Sequence, residues 1–165
     1  MISIREYRAE DRRQVEECFV ELQEFERRIE PRRVEGRAVV EKYLRFMFDK
    51  CAQTEGTVFV LEDDGRVVGF VSVWAKLKVN GLVNEEAEVA YVSDLFVNAA
   101  YRGRGLGRAL LQRAEDYSVA KGATTLNIGV LAENTGARRL YNDFGFREDK
   151  VELTKPLTPA VEAAT

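Results

Sequence analysis

The sequence contains no histidine. That absence removes the side chain that most often acts as general base, activates a nucleophile or ligates zinc. Only two cysteines occur, Cys18 and Cys51. Two cannot build a disulfide framework or, alone, a thiolate zinc site, so no metal is expected; both sit in apolar helical patterns and read as core residues. An excess of basic charge is also missing. The 25 basic and 28 acidic side chains leave a net charge of -3, which argues against nucleic acid as a partner. No apolar run approaches the ~20 residues of a membrane helix. The opening Met1-Ile2-Ser3-Ile4-Arg5-Glu6 is charged too early for a signal peptide. The expectation is a cytoplasmic chain with no membrane partner.

What is present reads as one globular domain. The length of 165 residues suits a single domain, and 45% hydrophobic with 32% charged residues suits a soluble, folded one. Ile2–Tyr7 alternates apolar and polar side chains, a half-buried strand. Residues 9–29 place Val15, Phe19, Leu22, Phe25 and Ile29 on one helical face, and Pro31 ends that helix. Val39–Cys51 repeats the pattern. Thr57–Leu61 and Val67–Lys78 read as strands joined by a tight Asp64-Gly65 turn. Asn80-Gly81 marks another turn, and Glu88–Val97 a third long strand. A helix starts near Leu106 and stops at Gly122. Thr125–Leu131 is a strand, 134–144 a helix and 146–155 a final strand. The order β-α-α-β-β-β-α-β-α-β mixes hairpins with crossovers, so the fold class is α/β with a mixed central β-sheet flanked by helices. No linker or repeat is visible; the core spans about 2–155, and 156–165 is a peripheral tail.

The strongest local signal is Arg102-Gly103-Arg104-Gly105-Leu106-Gly107-Arg108, which runs directly into an apolar helix. Three glycines in five residues let backbone N–H groups approach a ligand without a Cβ in the way. The helix aims its positive end at the same place, and three arginines add full charge. These features suit a diphosphate or similar polyanion. The dinucleotide fingerprint fails because position 108 is Arg108 and not glycine, and the P-loop fails on Arg108-Ala109.

From Arg102 to Gly107 the loop matches R/Q-x-x-G-x-G/A at a helix start. Asn134 and Leu140-Tyr141-Asn142-Asp143-Phe144-Gly145-Phe146 match a second pattern, N…(L/F)Y…GF. Together these segments resemble the pyrophosphate loop and second signature of the Gcn5-related N-acetyltransferase superfamily. The close resemblance covers about Tyr91–Phe146, and the order of elements fits from residue 2 to about 155.

The resemblance implies acetyl-CoA as cosubstrate. The backbone of Leu95, Phe96 and Val97 is then placed to pair with the pantetheine arm. The amides of residues 103 to 108, in Gly103, Arg104, Gly105, Leu106, Gly107 and Arg108, hold the pyrophosphate beside Arg102, and Asn134 approaches the cosubstrate. Asn134 is equally a helix N-cap in the making. Tyr141 lies two helical turns beyond it, so both project from one face. The resemblance casts Tyr141 as the acid that protonates the departing thiolate, and a phenol near pKa 10 keeps its proton at pH 7.

An amine of pKa near 10.4 is about 0.1% neutral or less at pH 7, so a base must take its proton. Without histidine the candidates are carboxylates, acting directly or through water. Asp94 and Glu88 share one face of the third long strand under simple alternation; a bulge there, common in this family, would upset that parity. Spermidine/spermine acetyltransferases, which this region also resembles, carry Glu where this chain has Ser93, and relatives often carry proline at Ala99.

The acceptor side of the family's cleft is walled by the first two helices. Here that region mixes Glu21, Glu24, Glu26 and Glu30 with Arg27, Arg28, Arg32 and Arg33, near Phe25, Tyr43, Phe46 and Phe48. Carboxylates with aromatic faces suit a cationic amine, although the same charges suit an ordinary solvated helix. The expected activity is acetyl transfer to a primary amine of a small molecule by direct attack. The alternatives are a protein N-terminal or lysine acetyltransferase, or a non-catalytic acyl-CoA-binding domain. Many relatives form homodimers; no residue pattern here fixes that for this chain.

Overall fold

The computed structural model describes residues 1–79 and 87–157. The Asn80-Gly81 turn and most of the tail lie outside the described residues. Five strands form one sheet in the order β1-β2-β3-β4-β5: β1 (Ile2–Glu6), β2 (Thr57–Asp63), β3 (Arg66–Val79), β4 (Ala87–Val97) and β5 (Leu126–Ile128). The first four pair antiparallel and β4 pairs parallel with β5, so the sheet is mixed, as the alternation of hairpins and crossovers requires. Four helices flank it: α1 (Arg12–Ile29), α2 (Gly36–Gln53), α3 (Leu106–Ala120) and α4 (Thr135–Phe144).

Strand alternation sorts the core into two layers. Val58, Val60, Phe70 and Phe96 face α1 and α2, where they meet Val15, Phe19, Leu44 and Met47. Phe59, Leu61, Val71, Val73 and Val92 face α3, where they meet Leu110, Leu111 and Ala114, with Leu140 and Tyr141 of α4 packed alongside. Cys18 and Cys51 are buried in the first layer, as their place in the apolar helical patterns implies.

Local chemistry sets the ends of these elements. Asp64 and Gly65 have φ of 47° and 81°, the left-handed pair that a two-residue hairpin between twisted strands demands. Glu30, before Pro31, leaves the helical region at φ -126°, ψ 89°, which stops α1. The buried Asp11 holds Arg5 through two hydrogen bonds of 2.7 and 2.8 Å and accepts the Arg8 N–H at 2.7 Å, tying β1 to the start of α1. Between α1 and α2, Gly36 lets the two backbones approach: a Cβ there would lie 3.1 Å from Val20 O.

Two expectations need correction. The segment 146–155 forms no strand. It is exposed, with Val151 at 66% and Leu153 at 90%, and carries a charge at most positions. β5 offers it only three residues of edge, and Arg147 bonds to the carbonyls of Asn142 and Phe146. Nor do Glu88 and Asp94 share a face. Ser72 pairs with Asp94 and Val73 with Val92, so Ser93 is an extra residue on β4. That bulge turns Asp94 and Phe96 toward α1 and α2, whereas Val92 faces α3.

Gly56 follows α2 where the chain turns into β2. A Cβ there would sit 2.2 Å from Val73 O and 3.0 Å from Trp74 Cα, both backbone. Gly56→Ala is expected to destabilise the fold by about 1–3 kcal/mol, read as a lower urea midpoint at unchanged m-value. An unchanged midpoint would show that α2 and β3 separate without cost.

Candidate active site

The parallel pairing of β4 with β5 consists of Ala90 with Leu126, Tyr91 with Asn127 and Val92 with Ile128, and then stops. Beyond it Ser93 forms a bulge in β4, and residues 129–131 carry no strand. A Cβ on Gly129 would lie 2.9 Å from Tyr91 Oη, so the missing side chain lets the tyrosine sit across the strand end. A cleft of about 780 Å³ opens between the diverging strands, bounded by α1, α2, the 102–108 loop and α4.

One end of the cleft presents the groups that can hold an anion. Gly103 and Gly105 have φ of 72° and 75°, and a Cβ on either would meet nothing within 4 Å. Ala109 is the first N–H of α3 with an intrahelical acceptor, Gly105 O at 3.0 Å. The N–H groups of Leu106, Gly107 and Arg108 precede it, as at any helix start. Arg102 donates from Nε to Val97 O at 2.9 Å and lays its guanidinium over the Phe25 ring. Arg108 donates to Asp143 O at 3.2 Å and lies over Phe144. Both line the cleft, as do Leu95, Phe96, Val97, Gly103, Gly105, Leu106 and Gly107. Arg104 does not; its guanidinium sits 5.4 Å from the Tyr101 ring centre.

Asn134 caps α4, accepting the Ala137 N–H at 3.2 Å, and also lines the cleft. Tyr141 lines it two turns later, packed edge-on against Phe146. Burial raises its phenol well above the ordinary value, and the nearby Glu26 and Asp94 raise it further.

Asp94 lies at the floor of the cleft, 8% exposed. Tyr43 Oη on α2 donates to both of its oxygens, at 2.9 and 3.0 Å, and Ser93 Oγ donates to Oδ2 at 2.8 Å. Burial lifts its pKa to about 6, against the pull of these two hydroxyls; the Glu26 charge adds to the rise and Arg33 opposes it. Tyr43, stacked on Phe19 at 4.5 Å, is raised above its ordinary value by burial and by Asp94. Glu26 and Arg33 form an ion pair of 3.0 Å on the same wall. Glu88 is exposed on the β4 segment opposite Lys78 and does not line the cleft.

Sequence reading places Tyr43 among the wall aromatics but gives no sign that it holds Asp94. Fifty-one positions separate them, and only the bulge brings Asp94 to that face. Neither cysteine borders the cleft, and burial pushes the Cys18 thiol up to about 12. Among the described residues no cluster of metal-ligating side chains occurs, and no helix is long and apolar enough to cross a membrane.

The chain is 38% identical over 98 residues to an uncharacterized N-acetyltransferase of Methanocaldococcus jannaschii, a match covering 59% of this chain and 42% of that protein. It is 30% identical over 110 residues to the L-2,4-diaminobutyric acid acetyltransferase of Nocardia farcinica, covering 67% and 53%. The chain thus spans about half the length of these curated relatives. A crystal structure of a mutant of the BH1408 protein of Bacillus halodurans superposes with a TM-score of 0.80 at 23% identity, over 94% of this chain and 99% of that one, a likeness of fold. A model of the acetyltransferase (GNAT) family matches residues 15–146. That match takes in every residue lining the cleft, and the chain belongs to the acetyltransferase (GNAT) family.

Proposed function

We propose that this chain is an acetyl-CoA-dependent N-acetyltransferase that acetylates a primary amine of a small molecule by direct attack. One observation carries the reading: a single cleft joins an anion-binding helix start to a buried carboxylate and an unspent phenol. The residues fit the cosubstrate. The open space at Gly103 and Gly105 admits phosphate oxygens to the backbone, and Arg102 and Arg108 supply charge. The β4 backbone at Leu95–Val97 has no β5 partner, so it can accept an extended arm as an added strand. The bound thioester supplies the activated acetyl group.

The chain's own residues then handle protons and position. Asp94 takes the proton of the attacking amine, directly or through water, while Tyr43 and Ser93 fix its orientation. Its pKa of about 6 leaves it ionised at neutral pH and raises its basicity above that of a solvated aspartate. Tyr141 keeps its proton until the leaving sulfur needs it, since every influence on it favours the neutral phenol. Direct attack accords with the cysteines, which lie outside the cleft as thiols. A relative named as an acetyltransferase of L-2,4-diaminobutyric acid supports a small-molecule acceptor.

CoA release measured against polyamines, aminoglycosides, amino acids and peptides, with products confirmed by mass, tests the reading. Turnover of small amines is expected; turnover of peptides alone would replace it with protein acetylation. Tyr141→Phe should lower kcat at least tenfold with little change in acetyl-CoA affinity, and an unchanged kcat removes Tyr141 from the chemistry.

Asp94→Asn should lower kcat by about 10²–10⁴. In the parent, kcat/KM should fall as pH drops through about 6, a limb separate from the amine's own ionisation and absent in the variant. The stability effect has the opposite sign. Asp94 binds its proton more tightly folded than unfolded, so its ionisation costs stability as pH rises from about 4 to 6. At pH 7.5 the variant should therefore be more stable by roughly 1–3 kcal/mol; a lower urea midpoint would contradict the burial cost assigned to Asp94.

A further inference from the structure

Most charges of α1 and its following turn have aligned partners. Glu24 accepts the Gly36 N–H and an Arg27 N–H, both at 2.7 Å; Arg32 is bidentate to Glu30 at 2.8 Å; and Glu17 pairs with Arg37. Glu26 and Arg33 differ. They face the cleft, and among the described residues the one polar contact of their side chains is the 3.0 Å approach of Arg33 Nη1 to Glu26 Oε2, without the alignment of a hydrogen bond. Arg33 Nε is buried with no partner among the described residues, while 35% of the side chain remains exposed. Its backbone is nonetheless pinned: the Arg33 N–H donates to Glu30 O at 3.1 Å, its carbonyl accepts from Arg27 Nε at 3.2 Å, and Gln23 Nε2 donates to Val34 O at 2.8 Å. An Arg33 side chain rooted in an anchored backbone, with no aligned hydrogen bond to its terminal nitrogens among the described residues, therefore lines the wall shared with Asp94.

We propose that the acceptor carries a carboxylate as well as its amine, and that Arg33 binds this carboxylate while the amine lies toward Glu26 and Asp94. The proposal rests on the small-molecule reading above and narrows it to amino acids. The guanidinium fork matches a carboxylate in plane and takes it through two parallel hydrogen bonds. Without Arg33 the wall would present Glu26 and Asp94 alone, a surface for polycations. With Arg33 held there, a second ammonium of a polyamine or aminoglycoside meets a like charge in a partly desolvated cleft. In a diamino acid the carboxylate stands beside the second ammonium, so Arg33 meets the opposite charge while the reacting amine lies toward the carboxylates.

The test uses diamino acids against their decarboxylated counterparts: L-2,4-diaminobutyrate with 1,3-diaminopropane, L-ornithine with 1,4-diaminobutane, and L-lysine with 1,5-diaminopentane. The full chain is expected to show kcat/KM at least tenfold higher for an acid than for its diamine. Arg33→Gln should collapse that ratio toward one, mainly through KM of the acid, and Arg33→Lys should retain part of it. Acetyl-CoA affinity, measured by calorimetry, reports that each variant is folded. A preference for the diamines, or an Arg33→Gln loss equal for both members of a pair, overturns the proposal. Should no acceptor turn over, the transferase reading fails, and calorimetric titration of the same pairs decides the site. Acid binding lost in Arg33→Gln upholds it, and equal or absent binding overturns it.

Discussion

Between Ser72 and Val73 on β3 the ladder advances one residue, and on β4 it advances two, from Asp94 to Val92. The leftover Ser93 inverts the facing of everything after it. Were β4 regular, Asp94 would point with Val92 into the apolar layer under Leu110 and Leu111, on the opposite side of the sheet from Tyr43. With the bulge, Asp94 meets Tyr43, and Ser93 itself turns its hydroxyl onto the same carboxylate. The same irregularity stops the ladder to β5 after three pairs. One unpaired residue thereby places the carboxylate, provides one of its hydrogen bonds and opens the cleft.

The cleft is polarised along its length. At the α3 end stand Arg102, Arg108 and the helix N-terminus, all positive, with glycines keeping the approach clear. At the α1–α2 end the signs are mixed and partly buried. There Asp94 is held by hydroxyls and not by a cation, so burial dominates its ionisation. Arg33, whose charge acts on Asp94, lies against Glu26. A carboxylate bonded directly to arginine would be pulled below its ordinary pKa, as Asp11 is beside Arg5. Of these two aspartates, the one paired with a cation is held ionised, and the one met only by hydroxyls is pushed toward its neutral form.

Much of this was legible in local sequence. Helical periodicity marks α1, α2 and α3 because each buries one face. Asp64-Gly65 marks the hairpin because both residues adopt positive φ. The Arg102–Gly107 loop and the Asn134–Tyr141 spacing are read within a few residues of chain, and the structure brings both to one cleft. What escaped depends on distant partners. The alternation that groups Glu88 with Asp94 assumes an unbroken ladder, and nothing in Val92-Ser93-Asp94 announces where the extra residue falls. The apolar alternation of Val151 and Leu153 suggests a strand, yet three residues of β5 give it no edge to join. The bond from Tyr43 to Asp94 crosses between elements far apart in sequence.

The topology has a consequence for how the cleft comes into being during folding. Each strand pairs with its neighbour in sequence, and β2–β3 closes through a two-residue turn. Only the β4–β5 pairing is parallel, which no tight turn can make; it waits on the crossover through α3. Loop closure for that step comes before the reward of only three ladder pairs. A chain that has formed β1–β4 with α1 and α2 already owns a buried core, but it has no cleft. The site is a product of that crossover, made where the ladder is shortest.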